Sequence, residues 1–294
     1  MVQRRSLGEN IFDTLNVFLL TLLVVVTFYP FVYVLFASLS NPARMTAHRG
    51  LLLGPVGGID LRSYGMVLRN PKIVTGYRNT LFLVVVGTSI NILMTSLGAY
   101  VLSRKGYAGK TFLTFFIVFT MFFSGGLIPF YLVVRNLKLI DSLWALIIPK
   151  CIMTYNLIIL RTAFAAVPES IEESARLDGA NDFLILFRMF FPLAFPTIAV
   201  MILFYAVDHW NAWFNASIFM RTVSKFPLQL VLKEILIASD TSQMTTSVSG
   251  LETEIVGVTI KYATIIVATI PILCVYPFLQ RFFVKGIMIG AIKG

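Results

Sequence analysis

The residues whose types and spacing could do chemistry fall into two groups, and neither is a catalytic constellation. The first is the stretch 168–192, PESIEESARLDGANDFLILFRMFFP, a charged passage between two apolar ones. Counted with Arg161 just ahead of it, it holds eight charges in a chain that is only 13% charged. Its chemistry is that of a handle, with ions and small residues on a short helix that another protein could grip. Pro168 suits a first helical turn, where its missing N–H costs nothing. Glu169, Glu172 and Glu173 then lie where the positive end of the helix dipole favours acid. Gly179, after Leu177-Asp178, ends the helix by taking the left-handed conformation that other residues avoid. Asn181 is placed to cap a second helix, which runs on until Pro192 and Pro196 disturb it. Taken singly these features are ordinary: a solvated helix face accounts for the glutamates, and a helix stop accounts for Gly179.

The second group is ionisable and aromatic and lies in apolar surroundings: Lys150, just after Pro149, and the run Asp208-His209-Trp210-Asn211-Ala212-Trp213. A charge at the centre of a bilayer costs about 3 kcal/mol or more, so charges there are candidates for a transport pathway. Indole faces beside hydrogen-bonding groups could line such a pathway. The plainer alternatives are an interfacial aromatic belt for Trp210 and Trp213 and a snorkelling or helix-end position for Lys150. Asp208 would lie about 28 Å along a straight helix from Met189, near the outer end of a span, or deeper if the prolines delay its start.

Other chemistry finds little footing. His48 and His209 are the two histidines, and no HExxH, paired-cysteine or serine-elbow motif is present. Cys151 and Cys274 fall in separate apolar runs and read as buried packing residues. Gly109-Lys110-Thr111 has the ending of a phosphate loop, but the earlier glycine would fall at Arg104 and no strand precedes it. It reads as a basic turn. The net charge of +10 is scattered along the chain rather than massed, which argues against nucleic acid.

The elements that must hold these groups are membrane helices. The 294 residues are 57% hydrophobic with a mean hydropathy of +0.84, and about half the usual share, roughly 25%, is charged. A crossing helix needs roughly 20 apolar residues. Charge-free runs recur at 14–43, 79–103, 111–134, 189–207 and 262–280, and 142–160 is interrupted only by Lys150. This predicts an all-α polytopic membrane protein with six transmembrane helices at about 14–38, 79–103, 111–134, 142–160, 189–220 and 262–280. A cytoplasmic segment 1–13 precedes them and a tail 281–294 follows. The first run is too long for a signal-peptide core and lacks a cleavage site, so it is expected to remain as a span.

Lys and Arg totals do not orient the chain, since eleven basic residues would fall on one side and twelve on the other. Short connections are more telling. SRKGYAGK, between spans two and three, has three basic residues and no acid, whereas RNLKLID, between spans three and four, has two and one acid. With Arg4 and Arg5 ahead of span one, and Arg281, Lys285 and Lys293 in the tail, both termini are expected inside. The hairpin 168–192 is then cytoplasmic, and the long loops 39–78 and 221–261 lie outside. The second loop includes an amphipathic piece, FPLQLVLKEILI, followed by the polar run ASDTSQMTTSVSG.

The hairpin resembles the EAA motif of binding-protein-dependent ABC importer permeases: Glu-Ala-Ala, three residues, Gly, nine residues, Ile-x-Leu-Pro. Glu173-Ser174-Ala175 is followed by Gly179 at that spacing, then by Met189, Phe191 and Pro192, with Ser, Met and Phe as departures. The string EESARLDGA and the tail YPFLQRFFVKGIMIGAIKG are similar to the carbohydrate-importer branch, in particular the smaller permease of maltose-type and polysaccharide or oligosaccharide transporters. The resemblance covers nearly the whole chain. It implies a type I ABC importer permease fold, N-in and C-in, whose cytoplasmic coupling helix docks on an ATPase. The coupling residues would be Glu172, Glu173, Ser174, Ala175, Asp178, Gly179 and Ala180. Glu173 would meet basic groups of the ATPase, Gly179 would permit the turn, and Ala175 would keep the docking face small. The pathway candidates are Lys150, Asp208, His209, Trp210, Asn211 and Trp213, although in related importers the partner permease can carry most sugar contacts.

The resemblance further implies that this chain is no enzyme and binds no cofactor or metal, with ATP and Mg held by the ATPase. The expected partners are a second homologous permease in a heterodimer, two ATPase subunits, an extracytoplasmic binding protein, membrane lipid and an oligosaccharide. The expected place is a bacterial plasma membrane. The competing readings are a secondary carrier, which needs repeats and broken helices with ion sites, and a scaffold, which needs no such hairpin.

Overall fold

The computed structural model describes residues 7–104, 109–244, 257–274 and 277. Arg4, Arg5, Lys105, the end of the sixth expected span and the tail 281–294 with Arg281, Lys285 and Lys293 lie outside the described residues. Among those described, all regular secondary structure is helical. Three helices are long and apolar enough to cross a membrane, or up to six if each of three bent pairs counts as one span.

The chain divides into two compact units. One comprises residues 1–70 and 234–269. It opens with α1 (Leu7–Leu39), a 33-residue helix that starts before the expected span and takes in residues 7–13 of the expected N-terminal segment. No charged residue between Asp13 and its end interrupts it, and its apolar side chains stand largely exposed. That is the condition of a helix with lipid or another subunit as its solvent. Asn41 caps α2 (Pro42–Ala47), accepting from the Ala43 amide, with Pro42 at the first position. A small cluster of Ala37, Met45 and Leu52 packs with Tyr33 and Tyr262, whose rings meet edge to face at 6.0 Å. Then α3 (Arg62–Arg69) is tied in by Ser63 to Thr259, 2.7 Å, and by Tyr64 to Ser38, 2.6 Å.

The other unit comprises residues 71–233 and 270–294. A 33-residue helix spans Pro71–Ser103, eight residues earlier than the apolar run begins. It consists of α4 (Pro71–Phe82), a π-helical turn at Leu83–Gly87 and α5 (Thr88–Ser103). Three of the expected continuous spans prove to be broken. In 111–134, α6 (Lys110–Phe122) and α7 (Leu127–Asn136) meet at 116°. Charge-free composition conceals the breaker Ser124-Gly125-Gly126, where Gly126 has φ of 86°.

The first half of 142–160 is two 3-10 turns, Leu143–Leu146 and Ile148–Lys150, and only α8 (Thr154–Ala165) is α-helical. Pro149 removes a donor there. Then come α9 (Glu169–Leu177), α10 (Asp182–Ile185), a π turn at Leu186–Phe190 and α11 (Phe191–Leu193). The 89° bend between Asp182–Leu193 and α12 (Phe195–Trp210) falls at Ala194, between the two prolines. The helix stops at Trp210 and restarts as α13 (Trp213–Phe219), so 189–220 is not one rod. The amphipathic piece begins α14 (Leu228–Met244), burying Leu228 and Val231. The last described helix is α15 (Gly257–Cys274).

The core of this unit lies between α5, α8 and α12, with the hairpin closing one end through Ala175, Ile185 and Phe190, the last packed against Phe164 of α8. Gly87 is required at one crossing, because a Cβ there would meet the His209 ring at 2.5 Å.

The opposite end is closed by polar capping. Asn79 donates to the carbonyls of Ser224 (2.9 Å) and Phe226 (3.0 Å), and the Leu228 amide donates to Thr80 Oγ1. Asp141 accepts from the amides of Arg221 and Thr222, the Thr222 hydroxyl and Lys225 Nζ, all within 3.0 Å. Those donors, the Thr222 amide foremost, hold its carboxyl far below the usual carboxylate range.

Candidate functional site

The hairpin is built from local rules and then fastened by distant ones. Pro168 stands as the N-cap of α9, with ψ of 136°, one position ahead of the first turn in which the sequence placed it. The helix ends in a Schellman turn: the Gly179 amide donates to the Arg176 carbonyl (3.0 Å) and the Ala180 amide to the Ala175 carbonyl (2.9 Å). Gly179 has φ of 81°. The Asn181 side chain caps α10, accepting from the Leu184 amide at 2.8 Å.

Fastening comes from Arg104, at the end of α5. Its guanidinium pairs with Glu172 and lies over the Phe190 ring (4.2 Å) and the Tyr100 ring (5.1 Å). Glu172 also accepts from Arg176 (3.0 Å), which reaches Asp182 at 2.5 Å, and Tyr100 donates to that same carboxylate at 3.3 Å. Both hairpin helices are thereby tied to the end of α5 through one chain of charges.

This geometry revises two expected roles. Glu172 is only 14% exposed and is committed within the chain, so its carboxylate fixes the hairpin instead of facing outward. Ala175 is 2% exposed and packs into the core, so its small size serves the seating of α9 on the membrane helices and not the outer face. Glu173, Ser174, Asp178 and Gly179 are exposed, and Ala180 is half-buried. The sequence reading missed Leu177, which is 89% exposed on the last turn, and Arg104. A leucine among charges on a short amphipathic helix was the available signal for the first. A recess of about 750 Å³ opens beside the hairpin, lined by Lys110, Pro168, Glu169, Glu172, Glu173 and Arg176 among others. Lys110 itself donates to the Arg104 carbonyl at 2.6 Å, which makes it a cap on the end of α5.

The second candidate group is partly gathered and partly dispersed. Lys150 Nζ lies 3.2 and 3.1 Å from the two Asp208 oxygens, joining residues that the sequence singled out separately. Their surroundings are held by Asn91, an amide within the charge-free run 79–103 that the sequence reading did not single out. Its amide nitrogen donates to the carbonyls of Lys150 (2.6 Å) and Cys151 (2.9 Å), closing the backbone break after Pro149. The Asn91 oxygen therefore faces His209 Nε2 at 2.7 Å, which assigns the proton to that ring nitrogen. Tyr205 completes the break, accepting from the Met153 amide (3.1 Å) and pairing with Thr95 (2.7 Å).

His209 is 1% exposed and Trp210 is buried edge to face against Tyr77, so both belong to the packing. Asn211 donates to its own helix at Val207, and Trp213 is half-covered by Lys233, whose ammonium lies 4.4 Å above the ring. Cys151 is half-buried and Cys274 exposed, both as free thiols, so neither is the fully buried packing residue that the sequence suggested. Among the described residues no group of three His, Cys, Asp or Glu side chains converges as a metal site.

No family model matches the chain. Individual relatives do. It is 40% identical over 286 residues to the polygalacturonan/rhamnogalacturonan transport system permease protein YtcP of Bacillus subtilis (strain 168), covering 97% of this chain and 99% of that one. It is 38% identical to protein LplC of the same organism, covering 97% and 96%. Among solved structures it matches a bacterial ABC transporter involved in the import of the acidic polysaccharide alginate. That match has a TM-score of 0.86 and 34% identity, over 96% of this chain and 100% of the other. Full-length similarity at these identities, with the hairpin and helices just described, decides the family. The chain belongs to the permease subunits of ABC importers, membrane proteins that work with a second permease, an ATPase and a binding protein and are not themselves enzymes.

Proposed function

We propose that this chain is the six-span, N-in and C-in permease that carries a saccharide, an oligosaccharide fragment, across a bacterial plasma membrane. Its partners are a second, different permease, two ATPase subunits that hold ATP and Mg, and an extracytoplasmic binding protein. The observation that carries the reading is the Arg104–Glu172–Arg176–Asp182 chain, which makes the hairpin a rigid extension of α5 while Glu173, Leu177 and Gly179 stay exposed. A handle so fastened transmits a pull on its outer face into the membrane helices. Glu173 and Leu177 then form the docking face, one by charge and one by apolar contact, with Asp178 and Ser174 at its rim.

Six spans receive support from which loops touch. Arg104 follows the second expected span and meets the hairpin between the fourth and fifth. Asp141, between the third and fourth, meets the segment after the fifth. Each pair falls on one side when every bent pair counts as a single crossing. Arg104, Lys110, Arg161, Arg176 and Arg188 gather at the hairpin end, which favours that end as the cytoplasmic one. The saccharide class draws on the polysaccharides named for two of the relatives.

The test is affinity purification of the tagged chain from its own membranes, with mass spectrometry of what accompanies it and saccharide uptake measured in parallel. An ATPase and a second multi-span permease are expected, with the ATPase lost on Glu173→Lys and Gly179→Val. A chain purified alone in mild detergent, with uptake indifferent to ATP, refutes the reading.

A further inference from the structure

The Lys150–Asp208 pair differs in kind from the ion pair that fastens the hairpin. Arg104 and Glu172 are 17% and 14% exposed, and the guanidinium lies against two adjoining rings, Tyr100 and Phe190. Lys150 and Asp208 retain 35% and 31%, so one flank of the pair is open. Its depth follows from Asn91, which holds the Lys150 carbonyl and lies twelve residues from the Ser103 end of its helix. That is about 18 Å along the axis, well inside a hydrocarbon layer about 30 Å thick. Lipid tails do not tolerate an open ammonium and carboxylate there, so the open flank faces polar space within the membrane. The two residues that follow Asp208 on α12 are packed within the protein, yet His209 Nδ1 and Trp210 Nε1 have no hydrogen-bond partner among the described residues. Buried polar atoms left over by the protein are ordinarily met by water or ligand.

The backbone beneath the pair is fixed while its charges are not. Asn91 and Tyr205 pin residues 150–153, and α12 carries Asp208. A lysine ammonium is a point charge on a flexible stem with three donors, able to change partners without moving its backbone. Its present partner is a carboxylate. On the reading that this chain imports a saccharide, and resting on it, we propose that Lys150 reads carboxylates on the passing saccharide and that Asp208 competes with them for the same ammonium. The site thereby favours acidic over neutral saccharides yet holds them weakly enough to let them through. A bare lysine in a low-dielectric pathway would trap an anion. A resident competitor keeps entry favourable and exit fast, the requirement that any conducting site must meet.

The two residues thus act in opposite senses, which sets the experiment. The whole transporter, with partner permease, ATPase and binding protein, is reconstituted in proteoliposomes. Uptake is followed for a labelled uronate trisaccharide and for its carboxyl-reduced, neutral counterpart. Lys150→Gln is expected to raise KM for the acidic sugar about tenfold or more, the worth of one charge-assisted hydrogen bond, and to bring the acidic-to-neutral KM ratio toward one. Asp208→Asn is expected to lower KM for the acidic sugar and slow its turnover, while Lys150→Arg keeps the acidic preference. Equal losses in Lys150→Gln and Asp208→Asn for both sugars, or a wild type that does not prefer the acidic one, overturn the inference and leave the pair as a structural or inter-subunit contact. If the wild type, given ATP, carries neither sugar nor any other saccharide, the import reading itself fails and this inference with it.

Discussion

Changing Glu172 and changing Glu173, adjacent and identical in type, should have opposite consequences. Removing one partner of a buried ion pair costs about 3–5 kcal/mol because the other charge is stranded, whereas exposed pairs are worth less than about 1 kcal/mol. The Arg104–Glu172 pair, at 17% and 14% exposure, stands close to the buried limit. The second bond to Glu172 comes from Arg176, which is 52% exposed and adds little. Glu172→Ala should therefore destabilise the chain by about 3 kcal/mol, felt first as loosening of α9 from Phe164 and Phe190. Glu173→Ala removes an exposed side chain and should stay within about 0.5 kcal/mol of wild type, while weakening capture of the ATPase. A double-mutant cycle on Arg104→Met and Glu172→Met, read from unfolding in detergent micelles, isolates the pairwise part. A coupling below about 1 kcal/mol, or a Glu172→Ala chain as stable as Glu173→Ala, would falsify the view that one glutamate builds the handle and the other presents it.

The remaining predictions concern the turn, the membrane break and the outer clamp. At Gly179 no atom lies within 4 Å of an added Cβ, so only backbone strain of about 1–2 kcal/mol opposes a side chain there. Uptake should fall in the order Asn, Ala, Val, with only small changes in melting temperature. Asn91→Leu strips the Lys150 and Cys151 carbonyls of their donor at membrane depth, where each unsatisfied group costs several kcal/mol. It should abolish the folded chain, and Asn91→Asp, which even when protonated has a single O–H for the two carbonyls, should do little better in a thermal-stability assay. Asp141 has its carboxyl held below the usual value, near 3.9, so its contribution is fully present above that value and is lost as pH falls through the lower folded one. Protease nicking of the segment around Thr222 should be unchanged from pH 7 to pH 5 in the wild type, and already high at pH 7 in Asp141→Ala.

What the sequence disclosed was whatever rests on neighbours in the chain. The Gly179 turn, the Asn181 cap and the disturbance between Pro192 and Pro196 are local rules, and each is found where those rules put it. Lys150 and Asp208 were visible singly because a charge in an apolar run is conspicuous. Their meeting was not, since it depends on how α12 lies beside the break after Pro149. Glu172 and Ala175 looked like parts of an outward face because the side that α9 turns to the membrane is set by Arg104, far back in the chain. Hydropathy erred in the other direction at 123–126, where serine and two glycines raise no charge signal yet bend the backbone by 116°. Asn91 was overlooked because an amide carries no charge, although at that depth it does more to hold the backbone than any ion.

The break after Pro149 also bears on how the chain is made. A ribosome delivers these segments to the membrane in order. When 143–165 emerges, the helix bearing Asn91 is already in place and can cap the two open carbonyls. Tyr205 and Asp208, which serve the Met153 amide and the Lys150 ammonium, have not yet been synthesised. Until α12 inserts, an unmet amide and an unmatched cation sit in the bilayer, a condition lipid penalises heavily. Synthesis halted between residues 165 and 205 therefore leaves a product with that amide unmet and that cation unmatched, and arrival of α12 supplies both partners at once.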